Sequence, residues 1–192
     1  RDFSQNPIKK VLGSLLQRGY FFQFWFFGAL ILIYLCLPIL KKFLKSKNRY
    51  LLALSLLVII GFVLELTNYL LQKPVQVYVI QTFRLWTWFF YYILGGFLAL
   101  FSLDTLKKCF RSWMKEITVV LLFASPLILF MLAKYIHHNL FAEYLYDSIF
   151  VKVISLGTFL TVLTFDLNTD KNRWIINLSN QTMGVFVIHT YI

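Results

Sequence analysis

Polar residues are sparse and clustered along this chain, and between the clusters run five apolar stretches of similar length. They cover residues 21–40, 51–71, 83–101, 117–136 and 149–165, and a sixth opens near Ile175. An α-helix needs ~20 mostly apolar residues to cross a ~30 Å hydrocarbon core. Repetition of that pattern with only short polar breaks predicts an all-α, polytopic transmembrane helical bundle of about six helices, the last incomplete. No internal repeat or low-complexity linker interrupts it, so residues 1–192 read as a single membrane domain. The chain starts at Arg1 and ends at Ile192 inside an apolar run, and the expectation is a portion of a longer domain.

Composition supports the same reading. Hydrophobic residues make up 59% and aromatics 19%, and 21 residues are Phe; mean hydropathy is +0.71. Both fractions lie well above a soluble average. The net charge of +11 sits mostly between the apolar stretches, as orientation signals and headgroup contacts do. No concentrated basic face of the kind that binds nucleic acid is visible, so no nucleic-acid partner is expected. Cys36 and Cys109 are isolated, giving neither a zinc pattern nor a reason to expect a disulfide.

The charge of the links alternates. Lys41, Lys42, Lys45, Lys47 and Arg49 follow the first stretch, Lys73 stands nearly alone after the second, and Lys107, Lys108, Arg111 and Lys115 follow the third. Lys134 and Lys152 lie only at the edges of the fourth link, and Lys171 and Arg173 mark the fifth. The positive-inside rule then puts the first, third and fifth links in the cytoplasm. Residues 1–20 fall outside, with Lys9 and Lys10 on an interfacial helix. Pro38 and Pro126 lie inside apolar stretches, where each removes a backbone donor.

Chemistry must come from polar residues within the apolar stretches. Glu65 is flanked by aliphatic residues and shares a helix face with Asn68. A carboxyl there faces the bundle or a wet cavity, as a proton carrier, a substrate ligand, a partner for a buried cation, or a structural hydrogen bond. Arg84 lies deep if its helix starts near Val75 and snorkels to the outer interface if it starts at Phe83. Glu65 and Arg84 fall in the same outer half and could pair; the Arg fork suits a carboxylate or phosphate. His189 places an imidazole in an apolar segment, as a proton donor and acceptor or as an interhelical hydrogen-bonder. The adjacent pair Gly95–Gly96 suits close helix approach. His137 and His138 point to different helix faces, so no metal is expected, and no nucleotide loop or hydrolase elbow is present.

Three segments carry a family resemblance. Gln23-Phe24-Trp25 through Tyr34-Leu35-Cys36-Leu37-Pro38, then Arg84 through Phe89-Phe90-Tyr91-Tyr92-Ile93-Leu94-Gly95-Gly96, then Gly184-Val185-Phe186-Val187-Ile188-His189 stand in this order. They resemble the corresponding segments of the acyltransferase-3 family of integral membrane O-acyltransferases, over about residues 21–192. The resemblance implies transfer of an acyl group, usually acetyl, from cytoplasmic acetyl-CoA to a carbohydrate hydroxyl, with an acceptor often lipid-linked, in a bacterial plasma membrane. His189, Arg84 and Glu65 are then the candidate catalytic residues, and Gln23 and Trp25 the candidate substrate-binding ones, with no metal. Gln23 departs from the His that the family often places there. The family's N-terminal helix carries an Arg and a His considered central to catalysis; that region would precede Arg1, so this chain alone is expected to be inactive. A transporter or flippase for a lipid-linked saccharide or small solute is the alternative reading of Glu65 and Arg84, and a non-catalytic subunit or decayed gene fragment the third. The acceptor sugar and the oligomeric state are not legible.

Overall fold

A computed structural model describes residues 7–17, 24–71, 75–136 and 147–164. These contain seven α-helices and no strand: α1 (Pro7–Leu15), α2 (Trp25–Phe43), α3 (Lys47–Leu71), α4 (Leu85–Leu98), α5 (Leu103–Cys109), α6 (Ser112–Met131) and α7 (Ile149–Leu163). Residues 132–136 continue α6 as a wider π turn. The sixth apolar segment, near Ile175, lies outside the described residues.

The apolar stretches become helices close to where composition puts them, and α2, α3 and α6 are each long and apolar enough to cross a membrane. The third stretch is corrected. Its helix begins only at Leu85, after two single 3-10 turns at Val75–Val77 and Gln81–Phe83. It ends at Leu98 and bends by 106° into α5. Fourteen residues rise about 21 Å, less than the hydrocarbon thickness. The helix therefore carries a polar turn before it and a basic turn after it. Ser102 caps α5 by accepting from the Thr105 N–H, Asp104 sits in its first turn and Lys107 and Lys108 in its last, each matching the helix dipole. Ser148 caps α7 in the same way through the Val151 N–H.

Packing follows the small and apolar positions. Ala53 and Leu54 of α3 meet Phe90 and Ile93 of α4 in the core, with Leu40, Leu44 and Phe97 against them. Gly96 admits the Tyr50 ring, whose edge lies 3.1 Å from where a Cβ would stand, whereas Gly95 faces open space. Only one of the expected pair therefore serves close approach. Gly28 of α2 passes the Leu15 carbonyl so closely that a Cβ would collide with it, and the Thr82 hydroxyl donates to that carbonyl at 2.7 Å. α1 thus carries Lys9 and Lys10 on a short helix packed against α2.

The two basic links come together. Lys47 lies over the Phe101 ring at 4.8 Å, and Tyr50 packs on Phe97 with ring centroids 6.3 Å apart. The link after α2 and the link after α4 therefore occupy one end of the bundle. The end of α3, the start of α4 and the start of α7 converge at the other.

Candidate functional site

At that second end a polar junction is buried where hydrophobic segments would be expected to close on each other. Asn68, one turn before the end of α3, is almost fully buried. Its side-chain Oδ1 accepts from the Val75 N–H at 2.8 Å, and its side-chain Nδ2 donates to Gln76 Oε1 at 2.8 Å. These bonds tie the last turns of α3 to the 3-10 turn at Val75–Val77. Gln76 passes the contact on, donating from Nε2 to both carboxylate oxygens of Asp147 at 3.0 Å. The Trp86 indole N–H donates to Asp147 Oδ2 at 2.8 Å.

Lys152, one turn into α7, is 3% exposed. Its ammonium donates to the Asp147 carbonyl at 2.6 Å and lies 5.5 Å from the centre of the Phe90 ring. Glu65 and Asp147 are its electrostatic partners. The amine reaches this position because α3 has no side chain at Gly61; a Cβ there would stand 2.8 Å from Nζ. Glu65, half-buried, accepts from the Ile149 N–H at 3.1 Å and so ties α3 to the first turn of α7. A carboxylate against an exposed helix N-terminus is favoured by the dipole.

Arg84 takes neither of its two sequence-based positions. It occupies the residue just before α4, is 5% exposed, and turns back into the protein. Nε donates to the Val79 carbonyl at 3.1 Å and Nη2 to the Gln76 carbonyl at 3.0 Å. Glu65 and Arg84 do share one end of the bundle, but they bond different groups, and the expected pair between them is not formed. Trp25 sits half-buried at the start of α2, stacked on Trp88 with centroids 5.0 Å apart. The Trp88 indole donates to the Gln81 carbonyl at 2.7 Å. Trp25 therefore borders the same turn that carries Arg84. Gln23 and His189 lie outside the described residues, as do His137 and His138.

Sequence reading missed Gln76, Asp147 and Lys152. Lys152 reads as a charge at the edge of the fourth link and Asp147 is not singled out, whereas both are buried. The available signal was placement: Lys152 stands four residues after a Ser cap, too far into α7 to be a link residue. Among the described residues, Gln81 Oε1 and Thr87 Oγ1 at this end are buried with no hydrogen-bond partner, an uncommon condition in native proteins. No three His, Cys, Asp or Glu side chains among the described residues converge as a metal site would require.

Chemically, the junction offers a carboxylate fixed by two donors, a second carboxylate on a helix start, a buried ammonium and a guanidinium, bordered by paired tryptophans. The fold and this junction define an all-α membrane protein with buried ionisable groups at one end and cationic links at the other. Residues 3–192 match the Acyl_transf_3 family model, an acyltransferase domain, and the chain belongs to that family. Comparison with curated proteins and with solved structures finds no match.

Proposed function

We propose that the protein is a multi-pass O-acyltransferase of a bacterial plasma membrane, moving an acetyl group from acetyl-CoA to a hydroxyl of a cell-surface carbohydrate. The observation that carries this reading is the match of nearly the whole chain to an acyltransferase domain. The chemistry of the two ends fits it. Cationic links at one end suit a phosphate-bearing donor in the cytoplasm. Buried polar groups beside the Trp25–Trp88 pair at the other suit a hydroxyl-rich acceptor, since aromatic faces cover the apolar faces of sugars and unpaired acceptors take hydroxyl protons.

In the transfer, a base removes the proton from the acceptor hydroxyl and its oxygen adds to the thioester carbonyl carbon. The C–S bond then breaks, and coenzyme A leaves as a thiol after taking up a proton. The reaction needs a base, donors for the carbonyl oxyanion and exclusion of water. Within this chain His189 is the proton-handling candidate. Arg84 holds the turn bearing Gln76, and Glu65 fixes the start of α7; both act as positioning residues for the polar end. Trp25 forms the acceptor-facing border, and Gln23, two residues before it in sequence, is a further acceptor-binding candidate.

The test is acetyl transfer by the purified full-length protein. With labelled acetyl-CoA and surface polysaccharide, the reading expects label in an alkali-labile ester on the sugar and loss of that label in a His189→Ala variant of equal abundance. Transport of a saccharide across vesicles without any ester product would replace this reading with a transporter.

A further inference from the structure

The last turn of α2, the connection after it and the first turn of α3 together carry five cations in nine residues and no acid: Lys41, Lys42, Lys45, Lys47 and Arg49. All five are exposed. Their placement on the helices is specific. Lys42 follows Ile39 by three residues and Leu35 by seven, so it stands at the end of one apolar face of α2. That face is bare: Leu35 is 70% and Ile39 72% exposed. On α3 the arrangement is mirrored. Arg49 precedes Leu52 by three residues and Leu56 by seven, and both leucines are exposed.

The two cations are held near each other by the hairpin. Arg49 Nη1 donates to the Phe43 carbonyl at 3.3 Å, which folds the start of α3 back onto the last turn of α2. Lys45 lies in the connection between them. A negative group placed among Lys42, Lys45 and Arg49 would therefore have bare hydrocarbon-facing helix surface running away from it on both sides. A soluble phosphate compound has no use for those surfaces. A phospholipid does, because its phosphate and its acyl chains are joined.

We infer that the α2–α3 link is a docking site for the headgroup of an anionic phospholipid, with Lys42, Lys45 and Arg49 on the phosphate and the acyl chains along the Leu35–Ile39 and Leu52–Leu56 faces. Clustered cations directly beside a membrane helix attract anionic lipid, and the exposed apolar faces beneath them make this cluster a place rather than a diffuse charge. The inference rests on membrane insertion; it gives the α2–α3 cations to lipid and leaves a phosphate-bearing donor to Lys107, Lys108 and Arg111 after α4.

Native mass spectrometry of the purified full-length protein, titrated with phosphatidylglycerol or phosphatidylcholine, tests it. Phosphatidylglycerol should bind at least about 3-fold more tightly in the first bound position. The triple variant Lys42→Gln, Lys45→Gln, Arg49→Gln should lose that preference, and so should Lys42→Gln, Lys45→Gln, which spares the Arg49 contact to Phe43. Lys107→Gln, Lys108→Gln removes charge at the same end and should keep the preference. Equal binding of the two lipids overturns the inference, as does a preference that survives both link variants. A fall of similar size in the Lys107, Lys108 control reduces the effect to general charge and also overturns it. Displacement of bound phosphatidylglycerol by millimolar coenzyme A would assign the cations to a soluble phosphate instead.

Discussion

Gln76 donates its side-chain amide to both carboxylate oxygens of Asp147, joining positions 71 residues apart through a contact buried from solvent. The same glutamine accepts from Asn68 on its side-chain oxygen and from Arg84 on its carbonyl. One residue in a two-turn break between helices thus connects α3, the start of α4 and the start of α7. An Asp147→Ala change would orphan the Gln76 amide and the Trp86 indole together. At ~1–3 kcal/mol for each buried donor left unpaired, the loss should be about 3 kcal/mol. Gln76→Ala and the double variant complete a cycle in which the coupling should reach ~1–3 kcal/mol. Unfolding of the purified protein in mild detergent measures it, and strict additivity would mean the contact carries no stability.

Lys152 supports a second prediction. Removal of one member of a buried charged group leaves the others uncompensated, at ~3–5 kcal/mol. Lys152→Met should therefore destabilise strongly, because the Asp147 carbonyl loses its buried donor and Glu65 and Asp147 lose a neighbouring positive charge. Adding Glu65→Gln removes one of the two carboxylate charges and should restore part of the loss. The check is the thermal midpoint of the single and double variants measured side by side. A double variant less stable than Lys152→Met would show that Glu65 serves α7 through the Ile149 N–H more than through charge.

How far the sequence discloses this arrangement differs between bundle and site. Helices α2, α3 and α6 are legible because crossing a bilayer needs a length and a composition that few other structures share. The basic links are legible for the same reason, and their meeting at one end follows from alternation. Residues 75–83 are not, since Val75, Val77, Val79 and Ile80 look like the start of a helix. Hydrogen bonds of Asn68 and Gln76 hold the 3-10 turn at Val75–Val77 against the end of α3, and those of Gln76 depend on Asp147 arriving from far along the chain. Glu65 and Arg84 stand out in sequence as costly charges, yet each bonds backbone groups of a neighbouring segment, the Ile149 N–H for Glu65 and the Val79 and Gln76 carbonyls for Arg84, and no pattern of side chains records those contacts.

The glycines give a graded test of packing. Gly28→Ala would drive a Cβ into the Leu15 carbonyl and within 2.9 Å of the Thr82 methyl carbon, where backbone must move. A loss of ~1–3 kcal/mol is expected. Gly61→Ala meets only the flexible end of Lys152 at 2.8 Å, so its cost should be smaller and should vanish in a Lys152→Met background. Gly95→Ala meets nothing within 4 Å and should be neutral or stabilising by up to ~1 kcal/mol, the helix-propensity difference. Thermal midpoints of the three variants should therefore rank Gly95→Ala highest and Gly28→Ala lowest.

Arg84 decides how the polar end relates to acyl transfer. Its two carbonyl bonds fix the turn from which Gln76 reaches Asp147, so its effect on chemistry should pass through that contact. Arg84→Lys keeps the charge, but a single ammonium on a flexible stem does not reproduce the planar fork that serves Val79 and Gln76 together. Both Arg84→Lys and Arg84→Ala should lower kcat for acetyl transfer, by at least ~10-fold for alanine, when rates are normalised to folded, monodisperse protein. KM for acetyl-CoA should hardly change, because the cationic links lie at the opposite end of the bundle. Combining Arg84→Ala with Asp147→Ala should add little to either alone, since both release the same turn. A rise in the acetyl-CoA KM with kcat intact would instead put Arg84 in contact with the donor. Unchanged kcat per folded molecule would confine its work to stability.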